Sequence, residues 1–194
     1  MPSEDAFLCG EYAMHYISAL QGPDPDTHLK TVATVKHWSD YDQEGDPDES
    51  NPTSRMNFVA NVSKLDQAPY FWAPFRAAVR GGRAQSLMCS YNAVENASGV
   101  GVPSCANGLF NNGLLRKTWG FGDGLIVSDC DAINDGAMKT YVERYYHANA
   151  SKGPPSVLQA VAGLTGGTDL DCGARKSIYC FPPRICSRTL MGHS

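Results

Sequence analysis

Charge is scarce in this sequence. Charged side chains make up 19 % of its 194 residues, below the usual share of about a quarter. The 16 Lys+Arg against 20 Asp+Glu leave a formal charge of −4. Lys and Arg nowhere form a run, so the electrostatic footprint of a nucleic-acid partner is missing. Long apolar stretches are missing too: none reaches the roughly 18 residues of a membrane span, and no membrane partner is expected. The first residues, Met1-Pro2-Ser3-Glu4-Asp5, are acidic and lack the apolar core of a signal peptide. No segment repeats, which argues against solenoid and propeller folds.

Other residues are plentiful. The 19 Gly and 12 Pro suit a turn-rich enzyme, and 7 Cys is a high count for a reducing compartment. Three N-glycosylation sequons occur, Asn61-Val62-Ser63, Asn96-Ala97-Ser98 and Asn149-Ala150-Ser151. Together they point to a secreted glycoprotein parent whose N-terminal part is absent here. The length supports one domain with a real core, but it is short for a complete (β/α)8 barrel of about 250 residues.

Periodicity alternates along the chain. Helical spacing over Glu11 to Leu20 stops at Gly22-Pro23, and a β-branched run follows from Lys30 to Trp38. Leu65 to Val79 reads as helix and Ala84 to Tyr91 as buried strand. Asn107 to Trp119 reads as helix and Gly124 to Ser128 as strand. Pro155 to Leu164 reads as helix and Gly167 to Leu170 as a fourth short strand. Short apolar strands alternating with helices predict a parallel sheet covered by helices. The polar stretch from Asp135 to Pro155 is expected to be an excursion or lid. Residues 1–173 read as one partial barrel domain. Residues 174–194 read as an irregular tail, or as the product of a misread exon boundary.

In a parallel barrel the functional groups gather at the C-terminal ends of strands. Those ends read Lys36-His37, Cys89-Ser90-Tyr91-Asn92, Ser128-Asp129-Cys130-Asp131 and Asp169-Leu170-Asp171-Cys172. Each is a polar cluster after an apolar run. Burying such groups is costly without partners, so their convergence predicts a polar pocket. Residue by residue, blander roles compete: Asp129 as a helix cap, Lys36 at the surface, His37 as a structural histidine, Met88 in the core. Cys89, Cys105, Cys130 and Cys172 can be small buried residues. Glu95, Asp131 and Asp171 receive no acid/base role.

At these strand ends the sequence resembles glycoside hydrolase family 3, in its fungal and plant β-xylosidase-like branch. The resemblance runs through Lys36-His37-Trp38 with Tyr41-Asp42 and Glu44, then Arg55-Met56-Asn57-Phe58 on to Ala73-Pro74-Phe75. It continues through Met88-Cys89-Ser90-Tyr91-Asn92-Ala93-Val94, Val102-Pro103-Ser104-Cys105-Ala106-Asn107 and Trp119-Gly120-Phe121. Val127-Ser128-Asp129-Cys130-Asp131-Ala132 and Gly167-Thr168-Asp169-Leu170-Asp171-Cys172-Gly173 close it. It implies the second half of a (β/α)8 barrel and retaining hydrolysis of terminal β-linked xylose, without metal or organic cofactor. Asp129 then matches the nucleophile. Tyr91 matches a tyrosine that hydrogen-bonds it, Lys36 and His37 match residues binding sugar hydroxyls, and Met88 lines the same pocket.

The resemblance also implies what is absent. The family's acid/base usually comes from a domain after the barrel, and its glycone-binding arginine and acidic residue lie upstream of Pro2. An open half barrel exposes sheet edges and apolar helix faces, so self-association is expected. Two alternatives stay open: a catalytically incomplete fragment or faulty gene model with at most weak sugar binding, and glucosidase or arabinofuranosidase specificity. A Schiff-base lyase using Lys36 is a further alternative, which the Ser128-Asp129-Cys130 context disfavours. Finally, Cys130 and Cys172 end strands expected to be neighbours, about 4.8 Å apart, which suits a disulfide. Such a bridge would crowd the space for a hexose's hydroxymethyl group, and two free thiols are the competing reading. Cys9, Cys180 and Cys186 are expected to be unpaired or irrelevant.

Overall fold

The computed structural model describes residues 2–173 apart from 26, 47, 49, 135 and 146–154. The tail from residue 174 onward lies outside the described residues.

Helix α1 (Ala6–Gln21) starts on Asp5, whose side chain accepts the Leu8 amide; such a cap contributes about 1 kcal/mol. It stops at Gly22, where φ is 91°, a backbone state that only glycine takes without strain. Gly10 lets α1 come close to its neighbour: a Cβ there would stand 2.9 Å from that of Ala77. Gln21, fully buried, ends the helix with a structural task. Its Nε2 donates to the Arg83 carbonyl at 2.8 Å, and its Oε1 accepts the Gln85 amide at 3.0 Å. Ala33 N stands 3.4 Å from the same oxygen. One amide thus fixes where the first two strands of the main sheet begin.

Strand β1 (Thr34–Trp38) follows, then the short β2 (Val59–Ala60). The single helix read over Leu65 to Val79 is three pieces: α2 (Lys64–Asp66), a wide π turn (Gln67–Phe71) and α3 (Ala73–Arg80). Pro69 lies in the π turn, has no N–H to donate, and crowds the carbonyl four residues back, so the α ladder opens there. Strand β3 (Ser86–Cys89) leads to the hairpin β4 (Ala93–Glu95) and β5 (Gly101–Pro103), then a 3-10 turn (Ser104–Ala106). The helix read over Asn107 to Trp119 is a π-helix over Leu109–Thr118, and β6 (Leu125–Ser128) follows. The polar stretch read as a lid contains a helix, α4 (Gly136–Tyr145), which buries Ala137, Met138 and Val142. The chain's polarity hides that narrow stripe. Helix α5 (Pro155–Thr165) completes the set. The fourth strand reduces to one parallel bridge, Val127 to Leu170.

The main sheet is parallel in the order β1-β3-β6. Its register pairs Val35 with Leu87, Trp38 with Cys89, and Cys89 with Ser128. Strands β2, β4 and β5 form a second small sheet that the sequence reading missed, because two- and three-residue strands carry no periodic signal. Leu87, Cys89, Ile126 and Ser128 are fully buried against the helices, whereas Lys36 is exposed and Met88 and Val127 half-buried. Side chains alternate along a strand, so one face is covered, while the other is buried at Ser86 and opens toward Lys36, Met88 and Val127. The core centres on Trp38, which is fully buried. The rings of Trp72, Phe75, Phe110 and Trp119 surround it at centroid distances of 6.0, 5.2, 6.1 and 5.4 Å. Its indole N–H donates to Asn111 at 3.1 Å.

Candidate active site

The sheet ladder continues past the strand ends and fixes the loops there. Ser90 N donates to the Trp38 carbonyl at 2.7 Å, and Asp129 N to the Cys89 carbonyl at 2.9 Å. Ser128 N donates to Leu170 at 2.8 Å and Asp131 N to Cys172 at 3.1 Å. The fully buried Asn92 donates its side-chain amide toward the carbonyls of Ser39 and Asp40, each at 3.2 Å. Backbone bonds of this kind leave the side chains at these ends little freedom. Cys89 and Cys105, read as small buried residues, are buried but joined by a disulfide with a Cα separation of 5.2 Å. It ties the end of β3 to the 3-10 turn.

Asp129 stands at the centre. One carboxylate oxygen, Oδ1, accepts the Cys130 amide at 2.8 Å. The other, Oδ2, lies 3.4 Å from His37 Nε2. Burial, aided by the charge of Lys36, holds the imidazole below its ordinary pKa and outweighs the pull of Asp129 the other way. The contact is therefore one between a carboxylate and a neutral ring, not an ion pair, at neutral pH. Tyr91 donates to the Cys130 carbonyl at 2.9 Å. Its hydroxyl also interacts with the Asp129 side chain, so the carboxylate and the backbone beside it compete for one proton. Burial and the charge of Asp129 push this phenol well above its ordinary value.

Sequence reasoning gave no role to three further residues. Tyr41 packs against His37 at 5.3 Å and faces Tyr91 at 6.4 Å; burial and the charge of Glu44 push its hydroxyl up to about 12. Glu44 pairs with Arg55 at 3.5 Å. The Arg55 charge acts on His37, Tyr41 and Tyr91 alike. All three lie in matched stretches after β1, so their position was legible though their convergence was not.

Lys36 and His37 also open onto a cavity of about 620 Å³ that Tyr12, Tyr41, Glu44 and Phe75 help to line. Asp129 is outside that lining, so His37 stands between cavity and carboxylate. Met88 lies opposite Val127 on the open face of the sheet. The Cys130 and Cys172 sulfurs are 2.6 Å apart and unbonded. The hydrogen bond of the Cys172 thiol to Cys130, with burial, pushes that thiol up to about 11. Ser128 Oγ holds this corner, accepting the Cys172 amide at 2.9 Å and lying 3.2 Å from Asp171 Oδ1. Cys9 is buried and unpaired; Cys180 and Cys186 lie outside the described residues. Asn61 and Asn96 are exposed, and Asn149 lies outside the described residues. Among the described residues no His, Cys, Asp or Glu cluster is arranged to hold a metal, and no helix is long and apolar enough to cross a membrane.

The profile of the glycosyl hydrolase family 3 N-terminal domain matches residues 3–170. The exo-1,4-beta-xylosidase xlnD of Aspergillus niger is 40 % identical over 173 residues, 89 % of this chain and 19 % of that protein. A solved family 3 exo-beta-xylosidase, XlnD, in complex with a xylobiose aziridine probe superposes with a TM-score of 0.75. It is 34 % identical over 99 % of this chain and 22 % of its own. A β-glucosidase from Erythrobacter marinus superposes with a TM-score of 0.69 at 26 % identity, over 97 % of this chain and 22 % of its own. The chain thus spans about a fifth of the length of the relatives it matches.

Proposed function

This chain belongs to glycosyl hydrolase family 3, and from that premise we propose that the enzyme built on it removes terminal β-1,4-linked xylose from xylo-oligosaccharides by double displacement. Asp129 attacks the anomeric carbon and forms a covalent xylosyl-enzyme, which water then hydrolyses. Because His37 is neutral at neutral pH, it orients the carboxylate without cancelling its charge. Oδ1 is occupied by the Cys130 amide, which leaves Oδ2, beside His37, as the attacking oxygen. Lys36, His37, Met88 and Tyr91 hold the glycone, and contacts to its hydroxyls strengthen as the oxocarbenium-like transition state forms. The chemistry uses no metal or organic cofactor.

The observation that carries this reading is the 3.4 Å approach of His37 to Asp129 at the strand ends of the sheet. Xylose rather than glucose is favoured by the 40 % identity to a fungal exo-1,4-beta-xylosidase, and by the close pair of free thiols Cys130 and Cys172, which on oxidation to a bridge would narrow the space beside the sugar. The likeness to a β-glucosidase at 26 % identity supports glucose as the second reading. The parent enzyme acts outside the cell. The 194-residue chain alone, which matches a fifth of its relatives' length, binds sugar weakly at most and associates with itself through its exposed barrel edges.

The test is a chimera in which residues 3–170 replace the matching segment of the Aspergillus niger enzyme. Proton NMR of xylobiose hydrolysis should show β-xylose as the first product, as retention requires. Initial α-xylose would contradict double displacement.

A further inference from the structure

Of the sequons whose structure is described, one sits where a folded protein can be modified. The turn between β4 and β5 is closed by Asn96 itself: its amide donates to the Val100 carbonyl at 2.9 Å, and its carbonyl accepts the Gly99 amide at 3.0 Å. Its side-chain Oδ1 accepts the Ser98 amide at 2.9 Å and the Val100 amide at 3.0 Å. These bonds use the carbonyl oxygen and leave Nδ2, the atom that would carry a glycan, toward solvent. Residues 95–99 are exposed without a break, so Asn96 and the Ser98 hydroxyl lie together at a hairpin tip.

The sequon at Asn61 is also exposed at Asn61 and Ser63, but its middle residue is packed and its hydroxyl is engaged. Val62 packs on the core. Ser63 caps α2, its hydroxyl accepting the Asp66 amide at 3.2 Å and donating to the Asp66 carboxylate at 2.6 Å. The enzyme that glycosylates asparagine reads both the amide and the hydroxyl two residues on. In the folded chain that hydroxyl is engaged at Ser63, and it stands at an exposed turn at Ser98.

We propose that Asn96 is an N-glycosylation site, open to modification both before and after folding, whereas Asn61 is closed once the chain has folded. The transferred group is an oligosaccharide supplied on a lipid diphosphate. A bond forms between Asn96 Nδ2 and the anomeric carbon, the bond from that carbon to the diphosphate oxygen breaks, Nδ2 loses a proton, and the lipid diphosphate leaves. Asn96 directly follows β4, so the glycan stands at the tip of the hairpin. This inference goes beyond the hydrolase reading and does not depend on it.

The test directs the 194-residue chain into the secretory pathway of a eukaryotic host with a cleavable leader. Glycan release in heavy-oxygen water, followed by peptide mass spectrometry, reads occupancy at each sequon in both the secreted and the cell-retained pools. Asn96 should be occupied in both, and Asn96→Gln should remove one glycan from the intact mass. In a second arm, folded unglycosylated chain is incubated with the transferase and its lipid-linked donor, and Asn96 but not Asn61 should be modified. An unmodified Asn96 in both pools overturns the site. Equal modification of Asn61 and Asn96 in the folded chain overturns the distinction between them.

Discussion

His37 and Asp129 meet at 3.4 Å although their strands are not neighbours: β3 lies between β1 and β6. Adjacent strands are about 4.8 Å apart, so the two side chains close a gap of about two strand spacings by leaning over the end of β3. There Asp129 N is bonded to Cys89 and Ser90 N to Trp38. The contact therefore depends on all three strand ends, and its loss is a sensitive sign of any shift in register.

The buried imidazole gives a pH signature. Folding holds His37 below its unfolded pKa, so its stabilising contribution is complete above about 6.5. That contribution is lost as pH falls through the lower folded value. Asp40 works in the other direction. Burial raises its carboxyl, so its contribution is complete below about 3.9 and is lost as pH rises through the folded value. Urea midpoints across pH 3 to 8 should therefore fall less between neutral and weakly acidic pH in His37→Gln. They should fall less between acidic and neutral pH in Asp40→Asn. Unchanged slopes in both variants would contradict these placements.

Trp38 should be the most sensitive core position. It is fully buried, touches four aromatic rings and bonds Asn111. Trp38→Ala should cost about 3–5 kcal/mol, read as a fall in the urea midpoint or as outright unfolding by far-UV circular dichroism. A loss below about 1 kcal/mol would mean that the core lies elsewhere.

Much of this was legible in the sequence. The strand ending at Trp38 was found by a β-branched run, and those ending at Cys89 and Ser128 by short apolar runs that lead into polar clusters, a strong local signal. What escaped depends on tertiary packing. The second sheet pairs segments of two and three residues. Helix α4 buries only a narrow stripe within a polar stretch. The Cys89–Cys105 bridge joins residues that burial alone explained. At the site, Asp129 and His37 were named from their motifs. The placing of Tyr41, Glu44 and Arg55 around them depends on how the long loop after β1 folds back, and no local pattern encodes that.

Cys130 and Cys172 should form a disulfide under oxidising conditions. Their sulfurs are already 2.6 Å apart, and their segments are held together by bonds from Ser128 and Asp131. Non-reducing peptide mapping after mild oxidation should recover the Cys130–Cys172 pair. Recovery of Cys130 bound to Cys9 instead would contradict the geometry. In the chimera, Cys130→Ser should also narrow the preference for xylose over glucose. An unchanged ratio would refute the specificity role while leaving the bridge intact.

The isolated 194-residue chain should turn over xylobiose negligibly. General acid catalysis contributes about 10²–10⁴-fold, and the family resemblance assigns that acid to a domain after the barrel. Steady xylose release by the purified chain, unaffected by Asp129→Asn, would indicate a contaminating enzyme. Release abolished by Asp129→Asn would contradict the expectation.

The central claim is that Asp129 is the nucleophile. A chimera carrying residues 3–170 should be incubated with a 2-fluoro-xyloside bearing an activated leaving group, then digested and sequenced by mass spectrometry. The account requires the fluoroxylosyl mass on Asp129, and no label in Asp129→Asn. Stoichiometric label on another carboxylate, such as Asp131 or Asp171, would contradict it.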